Sequence, residues 1–332
     1  MSVRVALVGL GEIGVGAHLP ALLAHPEVDL VALADPDPVR RQHVATLTRV
    51  PTVAGLDEVL AADPAMDTAA MVLATPPWVT PDLTVRALRA GRHVLAEKPV
   101  ATSTEAAAAY DVLTDDERGR LQVGLTYRHD PALEQLRDWL ADGVLGHPLL
   151  VRAHIYDERR DPADPAHERR LRDTLRHGTP VAHEGAHVLD WLSYLLGGPP
   201  AGVADAWALR TDDTFAAPNL TGARLSYPDG SVALVEFGWL TDALPRCEIS
   251  VLGPAGHVLL DGFTFRLTLS TSDGAKVVDL PGDRTTRSFE RQLTRFVELI
   301  AGRRERPSPD LADGIAALAL GERIAHAAVG SA

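Results

Sequence analysis

The chain has 332 residues with 46% hydrophobic and 23% charged side chains, the composition of an ordinary folded protein long enough for two domains. Lys and Arg total 32 against 45 Asp and Glu, a net charge of -13 with no long basic run, which argues against a nucleic-acid partner. The single cysteine, Cys247, excludes an intrachain disulfide and a cysteine-rich zinc site, and it fits a reducing cytoplasm.

The first apolar run, within "MSVRVALVGLGEIG", is about six residues long, too short and too soon broken by glycine for a signal peptide or a membrane span. It reads as the first strand of a cytoplasmic protein that makes no membrane contact. Over residues 1–125, β-rich runs such as "VRVALVG", "VDLVALAD", "AAMVLAT" and "HVLAEKP" alternate with helical stretches such as "HLPALLAHP", "PVRRQHVATL" and "PDLTVRALRAG". Strands apolar on both faces and separated by helices predict a parallel sheet of βαβ units.

After about residue 147 the texture changes to amphipathic strands joined by turns, among them "PLLVRAHIY", "GVADAWALR" and "LTGARLSYPDGSVALVEFGW". Asp-Gly pairs in "YPDGS" and "TSDGAK" are hairpin signals, so residues 126–332 are expected to hold a largely antiparallel sheet. Asp157 to Arg176 carries six arginines and six acidic residues, and reads either as a solvated loop or helix or as a lid or oligomer contact. Two amphipathic helices, "SFERQLTRFVELIAG" and "DLADGIAALALGERIAHAA", close the chain, and at least one is expected to pack back on a sheet, with the N-terminal domain as the candidate.

"VALVGLGEIG" sets Gly9, Gly11 and Gly14 in GxGxxG spacing between a strand and a helix, with Glu12 and Ile13 inside the loop. The first glycine allows the tight turn, the second the approach of a pyrophosphate, the third close helix packing. The next β-run ends in Asp35, 21 residues after Gly14, where a carboxylate accepts from the ribose hydroxyls of NAD and repels the 2'-phosphate of NADP. Arg40 and Arg41 follow closely, so NADP stays open. "ATPPW", with Thr75, Pro76 and Trp78, and "AEKP", with Glu97 and Lys98, end two further β-runs and so border the same crevice.

The order GxGxxG, "ATPP", "AGRHVLAEKP", "GLTYRHDPAL", "GVLG" and "EGAHVLDW" resembles the glucose-fructose oxidoreductase, inositol dehydrogenase and rhizopine-catabolism family, Gfo/Idh/MocA, from Val3 to about Gly330. The resemblance implies an N-terminal Rossmann domain, residues 1–125, and a C-terminal α+β domain, residues 126–332, built on an open sheet that often supports a homodimer or homotetramer. It implies NAD(P)-dependent chemistry at a secondary alcohol or carbonyl of a sugar or cyclitol. Lys98 matches the lysine of the family's EKP motif, His187 its catalytic histidine, and Arg128 an arginine near cofactor and substrate.

"HEGAH", His183 to His187, also reads as the zinc pattern HExxH, with Glu184 as general base. The longer zinc pattern would need glycine at Asp190 and histidine at Ser193, and the next glutamate is only Glu236. A zinc hydrolase is therefore a remote alternative, and no metal is expected. Many relatives carry Asp or Asn four residues before the catalytic histidine, whereas this chain has His183. On one helix His183, His187 and Asp190 would share a face, with Glu184 turned about 100° away. Either His183 binds substrate or relays protons, the reading adopted, or the alcohol chemistry is altered or lost, leaving a dinucleotide-binding regulator.

The expected catalytic residues are thus Lys98, His187 and His183. The substrate, a small molecule, is expected to meet Lys98, Tyr127, Arg128, His183, His187 and Asp190. The cofactor is expected on Gly9, Gly11, Glu12, Ile13, Gly14, Asp35, Thr75, Pro76, Trp78, Glu97, Lys98 and Arg128.

Overall fold

The computed structural model describes residues 2–61, 68–161, 163–176, 179–183, 185–241 and 247–329. The chain divides into two units: the first runs to Asp130 and takes in Thr285–Ile315, and the second comprises Pro131–Arg284 and continues from Ala316.

In the first unit, β1 (Val3–Val8), β2 (Val28–Ala34), β3 (Thr52–Val53), β4 (Ala70–Leu73), β5 (His93–Glu97) and β6 (Leu121–Gly124) lie in the order β3-β2-β1-β4-β5-β6. Every pair is parallel. Both faces of the central strands are buried, which is why they read as unbroken apolar runs. The order reverses between β1 and β4, the switch point at which open α/β sheets leave a crevice for ligand. Helix Arg284–Ile300 covers one face, setting Phe289, Leu293, Phe296 and Val297 against Val5, Leu7, Leu33 and Val72. Its apolar residues recur at i, i+4, i+7 and i+8, one stripe of a helix.

In the second unit, β7 (Leu150–Arg159), β8 (Gly202–Leu209), β9 (Leu220–Ser226), β10 (Val232–Thr241), β11 (Cys247–Gly253), β12 (Gly256–Asp261), β13 (Leu267–Thr271) and β14 (Gly274–Val278) form one sheet, ordered β14-β13-β12-β11-β7-β10-β9-β8. Only β7 and β10 pair in parallel among the described residues; the other pairs are antiparallel. Along β7, Val151, Ala153 and Ile155 are buried while Arg152, His154 and Tyr156 are half-buried, the alternation of a sheet with one packed face. This is the α/β architecture expected, a Rossmann unit followed by a largely antiparallel one.

The arginine-rich segment folds onto the second unit. Asp164 caps helix Pro165–Thr174 by accepting from the His167 amide, and Leu171 and Leu175 are buried with Phe215, Trp239 and Leu240. The guanidinium groups of Arg160 and Arg172 lie 5.8 and 4.6 Å from the centre of the Phe215 ring, and both approach Asp212, at 3.3 and 3.7 Å. These two arginines anchor the helix, and its apolar side is not solvated. No helix among the described residues is long and apolar enough to cross a membrane.

Candidate active site

The glycine loop leaves β1 at the switch point. Gly9 adopts φ +97°, and a Cβ there would stand 2.2 Å from the Ala74 carbonyl oxygen; at Gly14 it would stand 2.0 Å from that of Gly9. The turn out of β1, packed against the end of β4, therefore requires both glycines. Gly11 differs. A Cβ there would meet only the Arg40 Nη1, at 3.9 Å, so nothing in the protein's own packing demands glycine. The room beside Gly11 suits a group brought against the backbone, as the pyrophosphate of a dinucleotide is. Glu12 and Ile13 are exposed at the start of the following helix.

Asp35, at the end of β2, is buried and turned toward this loop. Its Oδ2 accepts from the Leu10 amide and its Oδ1 from the Asp37 amide, both at 2.8 Å. Arg41 donates to the backbone oxygens of Asp35 and Pro36, at 2.6 and 3.0 Å. Arg40 is the more exposed cation, with Nη1 3.5 Å from Asp35 Oδ2. A carboxylate and a guanidinium thus stand together beside Gly11.

At the end of β4, Thr75 and Thr80 share a hydrogen bond of 2.8 Å, and the Thr80 hydroxyl reaches the Pro76 carbonyl at 3.0 Å. Trp78 is exposed, and with Pro81, Val85 and Ala106 it lines a groove of about 390 Å³. Glu97 ends β5 and is buried. Its Oε1 lies 2.8 Å from His18 Nε2, and its Oε2 accepts from the Lys98 amide at 3.2 Å. Lys98 is half-buried.

A short 3-10 turn, Thr126–His129, follows β6. Arg128 is buried and donates to Asp313 Oδ1 at 3.0 Å, so part of its guanidinium is committed within the protein. Tyr127 precedes it on the same turn. Two residues of this motif that sequence reasoning left unassigned are fully buried, His129 and Asp130. Arg287 Nε donates to Asp130 Oδ2 at 2.9 Å and Ser288 Oγ at 3.2 Å. Neither ring nitrogen of His129 has a hydrogen-bond partner among the described residues.

Burial first, and then the guanidinium groups of Arg295, Arg304, Arg128 and Arg291, hold the His129 imidazole well below the usual histidine range. Burial likewise lowers His25 and His93. An unfolded histidine titrates near 6.5, so below that pH the unfolded chain binds more protons than the folded one and stability falls. The melting temperature is expected to drop between about pH 7 and pH 5, and His129→Gln to flatten that drop. Melting curves across this window check it; an unchanged slope in the variant would mean that His129 titrates normally.

In the second unit, His187 and Asp190 are both buried on helix Gly185–Leu195. The His187 ring stacks against Trp191, centroids 6.2 Å apart, and Trp191 meets Phe265 edge-on at 5.7 Å. His183 ends the segment Pro180–His183. Glu184 and the side chain of His183 lie outside the described residues, and so does the helical face on which His183 was expected beside His187. No group of three or more His, Cys, Asp or Glu among the described residues could hold a metal ion.

A doubly wound sheet, a glycine loop with one unexplained open glycine, and a buried acid at the end of β2 define a Rossmann unit of the dinucleotide-binding class. The family described as "Oxidoreductase family, NAD-binding Rossmann fold" matches residues 3–125, and its C-terminal domain matches residues 133–258. The chain belongs to this family, Gfo/Idh/MocA, as its motifs predict. It is similar to inositol 2-dehydrogenase of Rhizobium meliloti (strain 1021), 27% identical over 331 residues that cover 97% of this chain and 96% of that one. It is also similar to dTDP-3,4-didehydro-2,6-dideoxy-alpha-D-glucose 3-reductase of Streptomyces antibioticus, 29% identical over 310 residues and 90% of each chain. Among solved structures, an oxidoreductase from Agrobacterium radiobacter in complex with NAD+, L-tartaric acid and magnesium superposes with a TM-score of 0.84 at 18% identity, over 100% of this chain and 98% of that one.

Proposed function

We propose that this oxidoreductase uses NAD in preference to NADP and acts on a secondary alcohol or ketone of a cyclitol or sugar. The observation that carries the reading is the open glycine: Gly11 has room that the protein does not fill, and the fixed Asp35 carboxylate stands at the same loop. When bound, the nicotinamide supplies the hydride acceptor or donor. In the oxidation direction His187 takes the hydroxyl proton, and Lys98, as a cation, stabilises the negative charge that develops on oxygen. His183, Tyr127 and Asp190 orient the substrate. The near full-length likeness to an inositol dehydrogenase and to a sugar-nucleotide 3-reductase supports a cyclitol or sugar ring as substrate. The reading is tested with a panel of polyols, myo-inositol included, and keto-sugars, followed by nicotinamide absorbance. Tight dinucleotide binding with no turnover on any member would favour a regulator instead.

The cofactor preference has its own test. Asp35 is expected to make NAD bind at least about tenfold more tightly than NADP, a difference of about 1.4 kcal/mol. Calorimetric titration of both cofactors measures it. A preference for NADP would mean that Arg40, exposed beside Gly11, sets the specificity through a phosphate contact.

A further inference from the structure

His18 is the last residue of a π-helical turn, Gly14–His18, closed by the Leu19 amide donating to the Gly14 carbonyl. Single π turns inside helices occur often at functional sites. Here the turn carries a histidine that is 3% exposed, its ring held edge-on against Phe289 at 4.8 Å and its Nε2 2.8 Å from Glu97 Oε1. A buried carboxylate needs such a partner. Glu97 has little freedom on its other side, because a Cβ at Gly124 would stand 2.8 Å from its Oε1. Its second oxygen holds the Lys98 amide. Gly14, His18, Glu97 and Lys98 thus form one connected series, from the glycine loop to the lysine.

We propose that His18 is a positioning residue for Lys98, acting through the Glu97 carboxylate that it holds against the Lys98 amide. The inference rests on the reading of Lys98 as the charge-stabilising lysine. With His18 in place, the carboxylate is fixed from both sides, and the backbone from which the lysine side chain departs is fixed with it. Without it, Glu97 turns toward whatever donor remains, and Lys98 loses its set direction. The histidine also sits one turn beyond Gly14, so a shift of the glycine loop reaches the lysine through two hydrogen bonds, both on the Glu97 carboxylate.

An unusual feature of the composition makes the test direct: Lys98 and Lys276 are the only lysines in the chain. Reductive methylation with carbon-13 formaldehyde therefore labels these two amines and the amino terminus, and Lys98→Arg identifies the Lys98 signal. In His18→Leu that signal is expected to move to the shift of a free methylated lysine and to stop responding to added NAD. His18→Gln, whose amide nitrogen can take the place of Nε2, is expected to restore both. Should His18→Leu fail to fold, His18→Asn, too short to reach Glu97, replaces it. On any panel substrate that turns over, kcat is expected to fall by roughly 10- to 100-fold in His18→Leu, as for a catalytic group displaced by about an ångström, with far less change in KM. In a Lys98→Ala background the same substitution is expected to add nothing. A Lys98 signal that stays in place in the leucine or asparagine variant overturns the proposal. Wild-type turnover in Lys98→Ala would sink the catalytic reading instead, and would leave the positional result to stand or fall on the labelling.

Discussion

Replacing Lys98 or His187 by alanine is expected to lower kcat by roughly two to four orders of magnitude, the loss typical of an electrostatic or acid/base group. The dissociation constant for NAD is expected to change by less than about threefold in either variant, because the loop carrying Gly9, Gly11 and Gly14 and the Asp35 carboxylate bonded to it are untouched. Groups that act on one proton and one developing charge behave as a unit, so the double variant should be little worse than the poorer single one. His183→Ala is the informative control. A raised KM with kcat nearly unchanged would mean substrate orientation, whereas a loss equal to that of His187→Ala would mean a proton relay. Steady-state kinetics beside cofactor titrations separate these outcomes. If all three variants turn over a confirmed substrate at the wild-type rate, the chemistry lies elsewhere, whatever becomes of the nucleotide site.

How legible each feature was depended on how far away its partner lies. β1, β2, β4 and β5 could be read because burial on both faces leaves an unbroken apolar run, and the glycine loop could be read because its spacing is local. β3 could not, since two residues, Thr52–Val53, carry no period. β6 is masked by Gln122, which is fully buried in "LQVG" and satisfied by donating to the Gln292 carbonyl at 3.3 Å, across 170 residues of chain. Asp130 is similar, because its partners, Arg287 and Ser288, stand more than 150 residues away. The apolar stripe of helix Arg284–Ile300 is visible, and with it the expectation that a closing helix packs on the N-terminal domain, but the strands it meets, β1, β2 and β4, are a tertiary fact that no local pattern encodes. His18 left a faint trace, a histidine four residues beyond the last glycine of the loop on an otherwise apolar helix. Its meaning depends on Glu97, 79 residues later.

The sharpest separation of fold from binding is expected between two glycines of the same loop. Gly9→Ala puts a side chain on a residue at φ +97° and drives its Cβ to 2.2 Å from the Ala74 oxygen, so either the turn or β4 must move. A loss of roughly 2–5 kcal/mol is expected from strain of this kind, with weakened NAD binding as a consequence of the displaced loop. Gly11→Ala has neither problem. Its backbone lies outside the left-handed region, and its Cβ meets nothing closer than the Arg40 guanidinium at 3.9 Å. The free protein should therefore be as stable as wild type, or more stable by about 0.4–1 kcal/mol, since alanine leaves the unfolded chain fewer conformations to lose. NAD affinity should nonetheless fall at least about tenfold, and further in Gly11→Val, because the added atoms occupy the space into which the pyrophosphate must come. Melting temperatures with and without NAD, together with calorimetric titration, measure both quantities for each variant. Were Gly11→Ala to bind NAD as wild type does, the open space at Gly11 would not be the pyrophosphate cradle, and the dinucleotide would have to lie against a different part of the crevice between β1 and β4.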